Sequence, residues 1–141
     1  MRVVFDTVIL VRCLLDPDSW SGRLLFEWAE AYEWVVSPEV VAEYLQVIKR
    51  PGLVDKYHSI AHRDLQAILA RIATATVVHP THTPAVCRDP GDDKFLAVAK
   101  TGGARFIITE DTDLLDMGTY EEIAIVTGQA FLRILGAAGD R

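Results

Sequence analysis

Short apolar runs alternate along the chain with segments whose apolar residues recur at helical spacing. Runs such as RVVFD, EWVVS, TVVHP and IAIVT have the length and β-branched composition of buried strands. Between them, segments 38–50 and 63–75 place their apolar side chains on one helical arc. Because strands alternate with helices throughout, we expect an α/β fold whose central sheet is mostly parallel and carries helices on both faces.

Capping and stop residues mark several of the predicted boundaries. A turn into a short helix is expected near Asp6 and Thr7, where the first apolar run becomes too long for one strand. Ser37 and Pro38 have the pattern of a helix start, and Pro51 with Gly52 is expected to end that helix and open a turn. Gly102 and Gly103 are expected to end the helix that follows the segment RDPGDD.

Length and composition indicate one domain, which we expect to span residues 1–135, followed by a loose tail at 136–141. No segment reaches the roughly 18 to 20 apolar residues of a membrane span, and the amino terminus lacks signal-peptide features. Cys13 and Cys87 fit no zinc spacing and suit a reducing compartment. A cytoplasmic protein with no membrane partner is the expectation.

The formal net charge of −6 argues against strong nonspecific binding to nucleic acid, which depends on Lys and Arg. The most basic window is KRPGLVDKYHSIAHR, which starts at Lys49 and Arg50. It is either a local phosphate-binding patch or a solvated helix end and turn.

Acidic residues recur where the predicted strands and helices meet. Asp6 ends the first apolar strand, where a carboxylate needs a compensating partner unless it caps the next helix. Asp111 follows FIIT, and Glu43 lies on the border of the apolar arc of its helix. Asp92 and Asp93 begin another helix. Since ligands bind outside the carboxyl ends of parallel strands, four segments offer acids to one pocket.

Each acid also has a simpler explanation. Asp89 and Asp92 suit the start of the PGDDKFLAVA helix, Asp113 suits a cap of LLDMG, and Glu43 suits a solvated position. Four converging carboxylates would repel one another, however, and a divalent cation would relieve that repulsion. An all-oxygen ligand set favours Mg²⁺ or Mn²⁺. Zinc is disfavoured, because the HSIAH segment that carries His58 and His62 lacks a third ligand.

Four segments resemble, in order, a PIN-domain protein of the toxin group of toxin-antitoxin systems, similar to VapC-type ribonuclease toxins. They cover nearly the whole chain, and the third is the most specific: VVFDTVILV, SPEVVAEYLQVIKRP, CRDPGDDKFLAVAKTGGARFIITEDTDLL and VTGQAFL. The resemblance implies a three-layer α/β/α sandwich with an acidic pocket for Mg²⁺ or Mn²⁺.

Carried over residue by residue, the resemblance assigns the catalytic and metal-binding acids to Asp6, Glu43, Asp93 and Asp111. The family places its last acid 18 residues after the third, which selects Asp93 over its neighbour Asp92. Asp113 matches a further acid that is often present. Thr109 matches a hydroxyl residue that orients the acids.

One position departs from the family pattern, which usually reads Asp-Thr-Asn at the start, whereas here Val8 follows Asp6 and Thr7. Valine cannot replace the hydrogen bonds of asparagine, so metal binding is expected to persist while rate or substrate preference changes. Val8 also argues against a haloacid dehalogenase-type phosphatase, which needs a second Asp at that position.

The expected function is therefore a metal-dependent endoribonuclease that hydrolyses RNA phosphodiester bonds as the toxin of a toxin-antitoxin pair. The alternative is a non-catalytic PIN module that binds RNA or a protein partner. The expected partners are RNA, a cognate antitoxin and a second copy of the chain. A helix face around Trp20, Leu24 and Trp28 is a candidate for the homodimer contact, although the same residues suit an ordinary core.

Overall fold

The computed structural model describes residues 1–57 and 62–139. Its strands are β1 (Arg2–Phe5), β2 (Glu33–Val36), β3 (Thr76–Val77), β4 (Phe106–Ile108), β5 (Thr119–Tyr120) and β6 (Ile123–Val126). Its α-helices are α1 (Thr7–Leu15), α2 (Trp20–Phe26), α3 (Pro38–Ile48), α4 (Pro51–Tyr57), α5 (His62–Thr74), α6 (Asp93–Gly102), α7 (Thr112–Leu115) and α8 (Gly128–Gly139). Short 3₁₀ turns lie at Ala29–Ala31 and Pro90–Asp92.

The strands form one sheet in the order β3-β2-β1-β4-β6-β5. The pairs are parallel except β5 with β6, which is antiparallel. From β1 the chain winds outward to β2 and β3, and later to β4 and β6 on the other side, so the winding direction reverses between β1 and β4. Such a reversal opens a crevice at the carboxyl ends of the two strands. The predicted three-layer α/β/α sandwich is confirmed.

Helix α3 begins at Pro38 as the sequence predicts, and it ends at Ile48, two residues before the predicted end at Arg50. Ser37 Oγ accepts a hydrogen bond from the Val40 amide at 3.1 Å, and Pro38 occupies the first helical turn. Its buried side chains are Val40, Tyr44 and Ile48, which share one face. This face fixes the rotation of α3 against the sheet, and therefore the direction of the neighbouring Glu43.

The turn expected after Pro51 is instead helix α4, and this prediction was wrong. Proline suits the first position of a helix because its fixed φ is helical and its missing N–H has no partner there. The amides of Leu53 and Val54 donate to the Arg50 carbonyl at 3.0 and 2.9 Å. Lys49 and Arg50 are exposed at the junction of α3 and α4. His58 and the side chains of Lys56, His62 and Arg63 lie outside the described residues.

Aromatic side chains fill the core beneath the carboxyl end of β1. Phe5 lies edge-on to Tyr32 and Trp34, with ring centroids 5.5 and 5.3 Å apart. The buried Tyr44 hydroxyl donates to the Phe5 carbonyl, which links α3 to the last residue of β1. The strand end that leads to Asp6 is therefore held by packing and by a buried hydrogen bond.

The carboxyl-terminal helix α8 continues to Gly139, so residues 136–139 of the segment expected as a tail are helical. Leu132 and Leu135 belong to its buried face. No helix in the described part of the chain is long and apolar enough to cross a membrane.

Helix α6 lies close to β2 at Gly102, where a Cβ atom would stand 2.5 Å from Val35 Cγ1. Val35 is fully buried and β-branched, so it has little freedom to move. We expect Gly102→Ala to lower the free energy of unfolding by about 1–3 kcal/mol, the usual cost of overpacking. Urea unfolding measures this change.

Gly136→Ala in α8 is the matched control, since its Cβ would meet nothing within 4 Å. There the better helix propensity of alanine is expected to leave stability unchanged or raise it by up to about 1 kcal/mol. Equal effects of the two substitutions would contradict the close approach of α6 to β2.

Candidate metal centre

Asp6 directly follows β1 and is 6% exposed. Its amide donates to the Ile108 carbonyl at 3.0 Å, so the strand pairing of β1 with β4 continues one residue beyond β1. Asp6 occupies the N-cap position of α1, but its side chain makes no capping hydrogen bond. Helix capping therefore does not account for this buried carboxylate.

Thr109 holds the carboxyl ends of β1 and β4 together. Its fully buried hydroxyl donates to Asp6 Oδ2 at 2.6 Å and accepts from the Asp111 amide at 2.9 Å. One side chain thus orients Asp6 and the backbone that carries Asp111.

Asp111 and Asp113 follow β4 but have different surroundings. Asp111 Oδ1 accepts from the Asp113 amide at 2.9 Å, so the N-cap of α7 is Asp111 and not Asp113 as the capping alternative had it. Asp113 pairs with Arg88 at 2.9 Å. The Asp113 carboxylate therefore has a cation of its own.

Glu43 points from α3 toward the end of β1. Its Oε2 accepts from the hydroxyl of the buried Thr7, and its Oε1 accepts from Lys94 Nζ in α6. Neither Thr7 nor Lys94 was predicted as a site residue. Thr7 lies beside Asp6 and Lys94 beside the paired acids, so proximity in sequence to predicted site residues was the available signal.

The neighbours Asp92 and Asp93 are directed differently. Asp93 is buried, and its Oδ1 accepts from the amides of Cys87 and Val86 at 2.9 and 3.2 Å. Asp92 Oδ2 is also buried, yet it has no hydrogen-bond partner among the described residues. Asp93 thus fastens the preceding loop, while Asp92 carries the unsatisfied oxygen.

The pKa values distinguish the same two residues. Burial, followed by the charges of Asp6 and Asp111, raises the pKa of Asp92 to about 7, with further contributions from Asp89 and Glu43. Burial also raises the pKa of Asp6, against the lowering effect of its Thr109 hydrogen bond. For Asp93, burial is outweighed by the hydrogen bonds from the 86–87 segment, and the pKa is lowered. Asp92 is therefore electrostatically part of the acidic group.

We use the name acidic cluster for Asp6, Glu43, Asp92 and Asp111. Its oxygen donors suit Mg²⁺ or Mn²⁺, and the orphaned Asp92 Oδ2 is an atom that a cation would satisfy. Among the described residues, no group of three or more His, Cys, Asp or Glu side chains is already arranged to hold a metal ion. The donor chemistry fits a divalent cation, and the side chains need local rearrangement to converge on it.

The remaining sequence-predicted positions are not members of this cluster. Val8 is 36% exposed in the first turn of α1, so its apolar side chain faces solvent in part. Asp89 accepts from the Gly91 amide at 2.9 Å and caps the 3₁₀ turn before α6. Trp20 is 45% exposed while Leu24 is fully buried, so the helix face proposed for dimerisation is partly core.

The architecture defines an α/β protein whose candidate site lies at the switch point of a mostly parallel sheet. The sequence profile of the PIN domain family matches residues 2–113, and the chain belongs to this family. PIN domains are generally nucleases that use divalent metals.

Two relatives give this assignment context. The chain is 30% identical over 118 residues to the uncharacterized protein MJ1680 of Methanocaldococcus jannaschii, covering 83% of this chain and 75% of that protein. It is similar in fold to VapBC2 from Rickettsia felis, solved bound to a DNA fragment from the promoter, with a TM-score of 0.60 and 11% identity. That match covers 90% of this chain and 98% of the other.

In the absence of divalent cations, we expect the free energy of unfolding to fall as pH rises from about 4 toward 7. The pKa of Asp92 is about 7 in the folded protein, against about 3.9 for an unfolded chain. Between these values the folded state binds more protons, so raising the pH removes stability. Asp92→Asn should lessen this loss, as measured by urea unfolding in EDTA.

Asp89→Asn is the control, since asparagine caps as well as aspartate and Asp89 is exposed. It should retain most of the wild-type dependence on pH, because the Asp89 charge raises the Asp92 pKa less than burial, Asp6 and Asp111 do. An Asp92→Asn protein that loses as much stability as the wild type over this range would contradict the raised pKa.

Proposed function

We propose that this PIN-domain protein is a metal-dependent endoribonuclease that hydrolyses RNA phosphodiester bonds. The observation that carries the proposal is the acidic cluster at the switch point, together with the buried Asp92 Oδ2, for which the described residues offer no hydrogen-bond partner. A group of repelling carboxylates destabilises a protein unless something positive binds to it. Phosphate chemistry is a principal use of carboxylate-bound Mg²⁺.

The proposed ligands for Mg²⁺ or Mn²⁺ are Asp6, Glu43, Asp92 and Asp111. Asp92 takes the place that the motif spacing assigned to Asp93, because the Asp93 carboxylate is engaged by the backbone of the 86–87 segment. The metal, when bound, supplies positive charge for phosphodiester hydrolysis and lowers the pKa of an attacking water. Asp113 is left out because it pairs with Arg88.

The surrounding residues have positioning roles in this proposal. Thr109 restricts the rotamer of Asp6, and Thr7 does the same for Glu43. Outer partners of this kind commonly change metal affinity or activity by about 10–100-fold when removed. Asp93 holds the loop before α6 and so maintains the position of its neighbour Asp92.

The alternative proposal is a non-catalytic PIN module, and Val8 is the observation that favours it. An exposed valine supplies no hydrogen bond to a substrate in the first turn of α1. A protein that binds Mn²⁺ and RNA but leaves the RNA intact would support this alternative.

For partners, we propose an antitoxin protein, a homodimer and a cytoplasmic location. The VapBC2 neighbour is a complex bound to its promoter DNA, and its likeness in fold motivates the antitoxin proposal. The exposed Trp20 offers apolar surface for protein contact, with Arg23 over its ring at 5.3 Å. Of the predicted dimer face, Leu24 is already fully buried in the monomer.

We expect a cognate antitoxin, sought among small proteins encoded beside this chain, to co-purify with it and to restore growth of cells that express it. The reason is that an unrestrained intracellular ribonuclease is toxic, whereas a bound antitoxin blocks its site. Growth curves with and without co-expression measure the effect. Equal growth of cells that express the wild type or Asp6→Asn alone would contradict the toxin role.

For the metal site, we expect Mn²⁺ to raise the melting temperature of the wild type, because a cation that binds only the folded state stabilises it. Asp6→Asn, Asp92→Asn and Asp111→Asn should each lose most of this gain. Each should also lose RNA cleavage by more than the roughly 100-fold seen for outer partners. Differential scanning fluorimetry and a gel-based cleavage assay measure the two effects.

Asp93→Asn separates the two neighbours. Because its carboxylate binds backbone amides, we expect a lower melting temperature without metal but a Mn²⁺-dependent gain close to that of the wild type. Asp89→Asn is the matched control and should be nearly silent. Loss of the Mn²⁺ gain in Asp93→Asn, with the gain retained in Asp92→Asn, would restore the original assignment of Asp93.

A further inference from the structure

A groove of about 250 Å³ lies beside the acidic cluster at the same edge of the sheet. Its lining includes Ser37, after β2, and His79, after β3. The other lining residues are Thr83, Lys94, two prolines, Ala97 and Glu39. His79 and Thr83 are exposed, so the groove is open to large ligands. We call it the Lys94 groove.

Lys94 connects this groove to the acidic cluster. It lines the groove, and its Nζ pairs with Glu43 Oε1. Its side chain is only 16% exposed, whereas Lys100, on the same helix, is 59% exposed in its pair with Glu121. Among the described residues, Lys94 is the cation that forms an ion pair with a member of the cluster. Lys94 therefore neutralises part of the negative charge of the acidic cluster in the absence of a metal ion.

A divalent cation at the cluster would compete with Lys94 for Glu43. Once Glu43 binds the metal, the ammonium group is held less strongly, and a partly buried ammonium needs another anion. The long, flexible lysine stem allows such an exchange without movement of the backbone. Because Lys94 already lines the groove, its ammonium group can reach an anion bound there.

We propose that the Lys94 groove binds the phosphodiester backbone of single-stranded RNA next to the cleaved bond, with Lys94 passing from Glu43 to an RNA phosphate. This inference rests on the proposed nuclease function. It explains how an acidic site in a protein of net charge −6 admits a polyanion, since the approaching phosphate meets a cation released by metal binding. The exposed His79 adds a ring on which a base can stack.

The test compares Lys94→Met with Lys100→Met, which removes an equivalent charge from the same helix. Binding of a fluorescein-labelled, mixed-sequence single-stranded RNA is followed by anisotropy over a series of salt concentrations. Ca²⁺ replaces Mg²⁺ to prevent cleavage, and a gel verifies that the RNA stays intact. For single strands, each phosphate contact contributes about 0.7 to the slope of log K against log salt.

We expect Lys94→Met to weaken RNA binding and to make this slope shallower by about 0.7. Lys100→Met should keep the wild-type slope, and Lys94→Arg should restore it. Lys94→Met should also bind Mn²⁺ more tightly in a thermal titration, because Glu43 no longer has a competing partner. A folded Lys94→Met protein with the wild-type slope would overturn the proposal.

The two proposals fail in different ways. If the wild-type protein binds RNA through Lys94 but never cleaves it, the proposed nuclease function is wrong and the proposed RNA-binding role of the Lys94 groove is retained. If the wild-type protein cleaves RNA but Lys94→Met keeps the wild-type salt dependence of RNA binding, the nuclease function is retained and the proposed role of the Lys94 groove is wrong. Absence of RNA binding by the wild type would overturn both.

Discussion

The hydrogen bond from Thr109 to Asp6 joins the ends of two adjacent parallel strands, and the rest of the site is built around it. The register of β1 with β4 pairs Phe5 with Ile108, so the next residue of each strand falls at the mouth of the crevice. There the Thr109 hydroxyl also receives the Asp111 amide. A buried three-part contact of this kind allows little freedom to the Asp6 carboxylate and to the backbone that carries Asp111.

Bringing acids together at a strand edge creates repulsion, and the protein offsets it differently for each member of the acidic cluster. Asp6 accepts from Thr109, Glu43 accepts from Thr7 and Lys94, and Asp111 accepts from the first turn of α7. Within the described part of the chain Asp92 has no such partner, and its pKa is instead raised to about 7, so below that pH a proton takes the place of a cation. The site is thus kept intact without metal, at the cost of leaving one acid unsatisfied.

Much of the fold could be predicted because hydrophobic period and capping residues are local signals. The start of α3, the C-terminal stop of α6 at Gly103 and the parallel sheet followed from them. Helix α4 was missed because Pro51 reads equally well as a stop or as a first helical residue. The two-residue strand β5 is too short to show a period.

The sequence predicted a site residue only where its position relative to a strand or helix determines its location in the fold. Asp6 and Asp111 end strands, so their location followed from the topology. Spacing along the chain cannot say which of Asp92 and Asp93 faces the crevice, because the 3₁₀ turn at Pro90–Asp92 changes the helical phase just before α6. The ion pair of Glu43 with Lys94 joins residues 51 positions apart, and no local pattern reports such a contact.

The bonds from the Val86 and Cys87 amides to Asp93 have a spectroscopic consequence. An amide proton bound to an ionised carboxylate resonates at a shifted frequency and exchanges slowly with solvent. These two protons bind Asp93, the neighbour of Asp92 in the chain, and they belong to none of the described helices or strands. In a ¹⁵N-resolved NMR spectrum they form a natural pair of reporters, through which occupancy of the neighbouring crevice can be followed without attaching a label to it.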